Sequence, residues 1–530
     1  MKPTTKPEAE RANNVELPPL VKALLNPAVY PEAPASVEFR QTHISYLFLT
    51  PDFVYKVKKP VNFGFLDFTT LEKRRFFCEQ EVTLNRRLAR GVYIGVVAIT
   101  KRGGEIRLEG GGETVEYAVK MRRLPHKMML NAMVEDGRVT TGMVRDIGQV
   151  IGEFHLTAPS TGEISRFGLP HLLAKNTEEN FSQTKQYRGR TISSEQFERI
   201  KAFTREMLKA RERLFKKRVD GGYIRELHGD LHADHVCIGD GIDIFDCIEF
   251  NERFRYSDVV SDMAFLVMDF DYYNRHDLSR LFVASYFETT KDMMGEELLN
   301  FYKCYRAYVR GKVDSFELDE GEVSDEEKAI VRVRAIRYFH LANLYATGGF
   351  RPTLIVVCGL TGTGKTTVAA ILAEKLGFLH LSSDIVRKEL VGIKPEERRL
   401  DRFGEGIYTA PITERTYEEL IGMGKASLHE GRSIILDATF TRAARREAVE
   451  KAAEEAGADL HLIECSARED IVRERLNKRA CEKGGISDGR WEIYERQREI
   501  YDNLTVPHLT VDTSKPREEW ALRLVTTILG

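Results

Sequence analysis

Residues 359–367 read GLTGTGKTT, a spacing that can cradle phosphate. Gly359, Gly362 and Gly364 let the backbone turn tightly and aim N–H groups at oxyanions, with Leu360, Thr361 and Thr363 completing the loop. Lys365 can reach the β- and γ-phosphates of ATP, Thr366 can set its hydroxyl on Mg2+, and Thr367 ends the run. TLIVVC before the loop is apolar and β-prone, and TVAAILAEKL after it is helical. A strand, a glycine loop and the positive end of a helix therefore converge on one point. Further along, SSD places Asp384 at the end of a strand, where a carboxylate can orient an acceptor hydroxyl. Arg387, three residues on along a helix, can hold an acceptor phosphate or the group in transfer. SIILDATF ends a strand in Asp437, the place of an acid that holds Mg2+ through water. Arg475 and Arg479, four apart in IVRERLNKRA, share a helix face and can cap a γ-phosphate; a solvated basic face is the plainer reading.

A second string, HGDLHADHVCIGDGIDIFDCIEF at 228–250, holds carboxylates and imidazoles at short spacing. A small sheet, a helix, more strands and a helical lobe precede and follow it, the order of a two-lobed protein-kinase-like fold. In that fold a His-x-Asp loop presents a catalytic carboxylate and a later Asp holds metal. Residues 36–345 resemble the aminoglycoside phosphotransferase family, whose loop reads HGDxxxxN with an aspartate after a hairpin. His228, Gly229, Asp230 and Asp246 match; the resemblance makes Asp230 the acceptor-orienting residue and Asp246 a metal ligand. His235 stands where the family has a metal-binding asparagine. Imidazole suits softer ions than Mg2+ and cannot copy an amide oxygen. In the small lobe VYKVKKP resembles the strand carrying the phosphate-pairing lysine. That implies Lys56, with Lys58 on the same face as the alternative, and Glu81 as its helix partner, with Glu79 as runner-up. No glycine-rich loop precedes Lys56, so phosphate clamping falls to Thr42, Ser45 or backbone groups. EYAVKMRRLP resembles the hinge that binds adenine. His228, His232, Asp234 and His235 also suggest zinc, but no second cluster completes such a site, and Mg2+ is the metal expected. Asp258 and Asp262, one helical turn apart, read as loop anchors or caps.

The elements that must position these groups follow from the pattern. A chain of 530 residues, 42% hydrophobic and 30% charged, is too long for one core. Lysines and arginines (79) nearly balance the acids (81), so no global basic excess points to nucleic acid. Seven scattered cysteines without a CxxC pair fit reduced thiols, and neither a signal core nor a membrane-length apolar run is present, so a cytoplasmic protein without membrane association is expected. Residues 1–35 read as a flexible leader with one docking helix in LPPLVKALL. Residues 36–348 then form an α+β kinase-like domain, mostly helical after about 140, and GGFRP breaks the chain at Gly348–Pro352. Residues 349–530 alternate TLIVVC, FLHL, SIILDA, DLHLIEC and HLTVD with helices, the signature of a parallel, doubly covered α/β sheet.

That last stretch resembles the small P-loop kinases that include gluconate kinases, zeta-toxin kinases and polynucleotide 5′-kinases, through 359–367, SSDxxR at 382–387, LDATF at 436–440 and the arginine-bearing helix. The whole chain resembles bacterial fusions of an aminoglycoside phosphotransferase-like domain with a P-loop domain. The resemblance implies an ATP- and Mg2+-dependent phosphotransferase acting on a hydroxyl of a small polar metabolite or sugar. Three alternatives stay open: a P-loop kinase regulated by a pseudokinase or binding module, a nucleic-acid end kinase, and antibiotic inactivation.

Overall fold

The structure is a computed structural model that describes residues 17–321, 323–394, 397, 404–481 and 490–530. By compactness the chain forms two units: residues 1–179, 204–269 and 281–306, and residues 180–203, 270–280 and 307–530.

In the first unit an antiparallel sheet takes up β1 (Glu38–Gln41), β2 (Ser45–Leu49), β3 (Phe53–Lys58), β4 (Tyr93–Arg102), β5 (Glu105–Leu108) and β6 (Glu113–Arg122), in the order β1-β2-β3-β6-β4-β5. The helix Leu71–Asn85 starts where the Thr70 hydroxyl caps the Lys73 N–H, and its Cys78 and Val82 pack on Tyr93, Val119 and Met121. On a second core cluster, Val21 and Leu24 of the helix Pro19–Leu24 join Tyr30, Phe48, Tyr55 and Val57. The docking helix expected in the leader therefore exists; residues 1–16 lie outside the described residues. A helical region follows, interrupted by two short pairs: β7 (Ile224–Glu226) with β10 (Tyr256–Asp258), and the hairpin β8 (Val236–Ile238) with β9 (Ile242–Ile244). The sequence pattern shows the hairpin but not β1, β7 or β10. Strands of three or four residues, partly charged, carry too little alternation to stand out.

The second unit holds a parallel sheet of β11 (Thr353–Cys358), β12 (Leu379–Ser382), β13 (Ile434–Asp437), β14 (Asp459–Ser466) and β15 (Leu509–Asp512), ordered β12-β13-β11-β14-β15. All five were expected; β11 and β13, buried along nearly their whole length, read as continuous apolar runs. One face is closed by the helices Lys365–Leu376 and Arg517–Leu529, and by Val333 and Ile336 of the helix Asp325–Ala346. That last helix begins with a capping box between Ser324 and Glu327. The other face packs Val386, Tyr417, Leu420 and Val449 against Leu354, Val356 and Leu436.

Candidate functional site

In the second unit, β11 delivers the glycine loop at its carboxyl end. Gly359, Gly362 and Gly364 all sit at positive φ. A Cβ at Gly359 would lie 2.4 Å from the Cys465 carbonyl oxygen, so only glycine allows the loop to cross there. The loop is braced from outside: the Thr513 hydroxyl donates to the Thr363 carbonyl at 2.7 Å, and the Thr361 N–H donates to Gln497 at 2.8 Å. The Lys365 ammonium rests on the loop's own Leu360 carbonyl at 2.9 Å, and Thr366 and Thr367 are exposed on the first turn of the following helix. Parallel pairing carries Asp437 to the carboxyl end of β13, opposite Ser382 on β12 and Val357 on β11. Asp384 follows in the first turn of the helix Ser383–Leu390, whose cap is the Ser382 hydroxyl. Loop, Asp437 and Asp384 thus gather on one edge of three adjacent strands. This is where a doubly wound sheet binds ligands.

Asp437 is buried, and its Oδ2 has no hydrogen-bond partner, while His380 Nε2 lies 3.5 Å away. A buried carboxylate oxygen of this kind, on the sheet edge that also carries the glycine loop, fits an oxygen-ligated Mg2+. The arginines are placed differently from one another. Arg387 is buried, donates to the Thr413 hydroxyl at 3.1 Å and lies over the Tyr408 ring. Arg475 donates to the Thr513 hydroxyl at 2.9 Å and the Thr513 carbonyl at 2.7 Å, with the Gly362 carbonyl at 3.5 Å. It is tied to the loop's bracing. The Arg479 side chain lies outside the described residues.

In the first unit the structure brings together Lys56, Glu81, Asp230, His235 and Asp246. Lys56 Nζ lies 2.8 Å from Glu81 and 2.6 Å from Asp246. Burial works against the Lys56 charge, but Asp246 and Glu81 hold it well above the ordinary lysine range. Lys58 is fully engaged too, bonded to Glu81 at 2.7 Å and to Glu249. Burial would raise Glu81, yet the two ammonium groups keep it low. Glu79 instead makes an exposed pair with Arg75. Glu249, three residues after Asp246, escapes sequence reasoning because nothing in its spacing sets it apart from the other acids of the same stretch.

The catalytic-type loop is held from beneath by Asp262, which accepts the N–H groups of His228 at 3.1 Å and Gly229 at 2.8 Å and faces His155 at 3.3 Å. Burial would raise Asp262, but His155 holds it at about 2. Asp258 caps the Val260 N–H and binds Arg218 through both oxygens. His228 is pushed down to about 4 by burial; its Nε2 meets the Phe245 carbonyl at 2.9 Å. His235 Nδ1 bonds the Asp230 carbonyl at 2.9 Å, and its Nε2 faces Asp246 Oδ2 at 3.5 Å. Asp246 has φ +63°, a left-handed conformation that an aspartate adopts at some cost, as functional residues often do. Asp230, His232 and His235 each offer a donor atom within 4.8 Å of the others. With imidazole where an oxygen donor is expected, this set does not fit Mg2+. The turn between β1 and β2 is closed by Thr42, whose hydroxyl accepts the Ser45 N–H at 3.1 Å, while the Ser45 hydroxyl is buried.

Two family models match the chain, one after the other in sequence. Residues 78–297 match the model of the phosphotransferase enzyme family, and residues 354–504 match the model of an AAA domain. An uncharacterized protein of Mycobacterium tuberculosis is 32% identical over 486 residues, covering 91% of this chain and 93% of the relative. The chain belongs to the same family. This chain is a fusion of a phosphotransferase-type part with a P-loop kinase part. An adenylate kinase of Phocaeicola vulgatus is 25% identical over 157 residues, 29% of this chain and 80% of that enzyme. The crystal structure of a putative kinase from Chloroflexus aurantiacus aligns over 34% of this chain and 96% of its own, at 23% identity and TM-score 0.28. The chain is an ATP-dependent kinase of mixed α/β architecture. Among the described residues no helix is long and apolar enough to cross a membrane.

Proposed function

We propose that residues 349–530, which carry the P-loop, move the γ-phosphoryl group of ATP to a hydroxyl of a small polar metabolite or sugar, and that residues 36–348 hold a second kinase-like site, the functional division falling at Gly348–Pro352. The observation that supports this best is the convergence of the glycine loop, Asp437 and Asp384 on one sheet edge. Loop N–H groups and Lys365 bind and orient the β- and γ-phosphates, and the Arg475–Thr513 brace keeps the loop in shape. Thr366 and Asp437 would hold Mg2+, which would supply charge neutralisation at the phosphates. Asp384 accepts the acceptor hydroxyl's proton as its oxygen bonds to phosphorus and the bond to the β–γ bridging oxygen breaks, leaving ADP. Tyr408 and Arg387 shape the acceptor side. Most of the rate gain comes from positioning and charge stabilisation.

The experiment is titration calorimetry of Mg-ATP together with phosphoryl transfer to a panel of polyols and sugars. Lys365→Ala should lose one nucleotide and at least about 100-fold in transfer, the scale of lost charge stabilisation. Unchanged binding and turnover in that variant would defeat the reading. A second reading, in which the first unit binds and regulates without transferring, is favoured by His235 and by Lys56 lying against Asp246. Turnover surviving Asp230→Asn unchanged would favour it.

A further inference from the structure

We propose that His235 and Asp246 form the core of a site in the first unit that takes a divalent first-row transition ion in preference to Mg2+. Three observations carry it. First, the His235 ring is oriented by its own loop: a carbonyl oxygen can only accept, so the Asp230 carbonyl at 2.9 Å fixes the proton on Nδ1. Nε2 then keeps its lone pair, and Asp246 Oδ2 lies 3.5 Å from it. Two acceptors facing each other repel unless a cation lies between them.

Second, the separation suits a metal better than a proton. A charge-assisted N–H···O bond closes to about 2.7–2.9 Å. Two donors on one ion, each about 2.0–2.2 Å from it, sit about 2.8–3.6 Å apart at octahedral or tetrahedral angles. The 3.5 Å observed falls at the wide end of that range. The other Asp246 oxygen is occupied by Lys56, so the carboxylate is held with Oδ2 turned to the imidazole. Third, His235 also belongs to a group with Asp230 and His232, each offering a donor atom within 4.8 Å of the others, with His232 Nε2 3.4 Å from Asp230 Oδ2. Nitrogen among the donors selects for ions such as Mn2+, Fe2+, Co2+ or Zn2+ over oxygen-seeking Mg2+. The orienting bond to the Asp230 carbonyl is the outer support that metal-bound histidines ordinarily have.

The proposal rests on the reading of Asp246 as a metal-holding residue, but not on phosphoryl transfer by this unit. Its test therefore needs neither nucleotide nor turnover. Co2+ alone is titrated into the full chain and followed by visible absorption, in wild type, His235→Asn and, as a control from the second unit, His380→Gln. Wild type should bind one Co2+ with d–d bands of a nitrogen–oxygen site that persist when Mg2+ is added at a tenfold excess, by the softer-donor preference. His235→Asn should lose those bands and weaken Co2+ by about tenfold or more, and His380→Gln should keep them. Displacement of Co2+ by an equal free concentration of Mg2+ in wild type overturns the proposal without reference to any variant. So do bands that survive His235→Asn or vanish in His380→Gln. ATP failing to bind the first unit while the Co2+ bands behave as stated would sink the transfer reading and leave the metal site standing.

Discussion

His228 works as a neutral ring: its Nε2–H donates to the Phe245 carbonyl, and its Nδ1 accepts the Asp230 N–H at 3.3 Å. A proton on Nδ1 would turn that second bond into a clash of donors. Burial lowers its pKa to about 4, whereas an unfolded histidine titrates near 6.5. Between those values the unfolded chain binds the extra proton, so stability falls as pH drops through the window. Denaturant midpoints measured from pH 7 to 4 should decline, and His228→Gln should flatten that slope. An equal slope in the variant would assign the loss to other histidines. Asp262, held at about 2, adds stability above the ordinary aspartate range that is lost only at lower pH, which keeps the two effects apart. Lys56 and Lys58 illustrate what residue types alone could convey. Their alternation put both on one strand face, but only packing shows that both meet Glu81 and that Lys58 also meets Glu249. Lys58→Ala should cost about 3–5 kcal/mol in unfolding free energy, because it takes away the ammonium that pairs with the buried Glu249 carboxylate. Lys56→Ala should show its main effect on nucleotide binding to the first unit, measured by calorimetry.

At the scale of elements, the strand–loop–helix at 353–376 was legible because apolar run, glycine spacing and helix pattern agree over the whole stretch. The bracing of the loop was not, since Thr513 and Gln497 stand more than 130 residues downstream and neither belongs to a recognisable spacing. A partner 38 residues away hides the role of Arg475 in the same manner. A basic helix face suggested a phosphate cap, whereas the side chain donates to Thr513 at two atoms. The two roles separate experimentally. If Arg475 acts through the brace, Arg475→Ala should lower the melting temperature and weaken ATP binding together. A fall in kcat of about 10³-fold with melting temperature unchanged would mark a phosphate cap instead. Gly359→Ala is the sharper probe of loop shape: a Cβ 2.4 Å from the Cys465 carbonyl must displace β11 or β14, so nucleotide binding should be abolished.

For the molecule as a whole, the sequence breaks at GGFRP, yet the apolar surface does not. Val333 and Ile336, from the helix that ends before that break, lie in the same core cluster as Ile355, Leu372, Trp520 and Leu524. His340 on that helix bonds the Leu529 carbonyl at 2.6 Å, tying it to the C-terminal helix. Chain composition reveals linkers through glycine and proline, but it does not reveal which side of a linker a helix packs on, because that depends on a match of apolar faces rather than on local residues. Two fragments follow from this, residues 349–530 and residues 325–530. The shorter one strips the faces of Trp520, Leu524 and Ile528, which are buried in the intact chain, and should bind a hydrophobic dye and aggregate on heating. The longer one restores Val333, Ile336 and the His340 bond and should melt at a higher temperature with less dye bound. Equal melting temperatures for the two would mean that the helix Asp325–Ala346 contributes nothing to the P-loop core, and the break at Gly348–Pro352 would then mark an autonomous kinase domain.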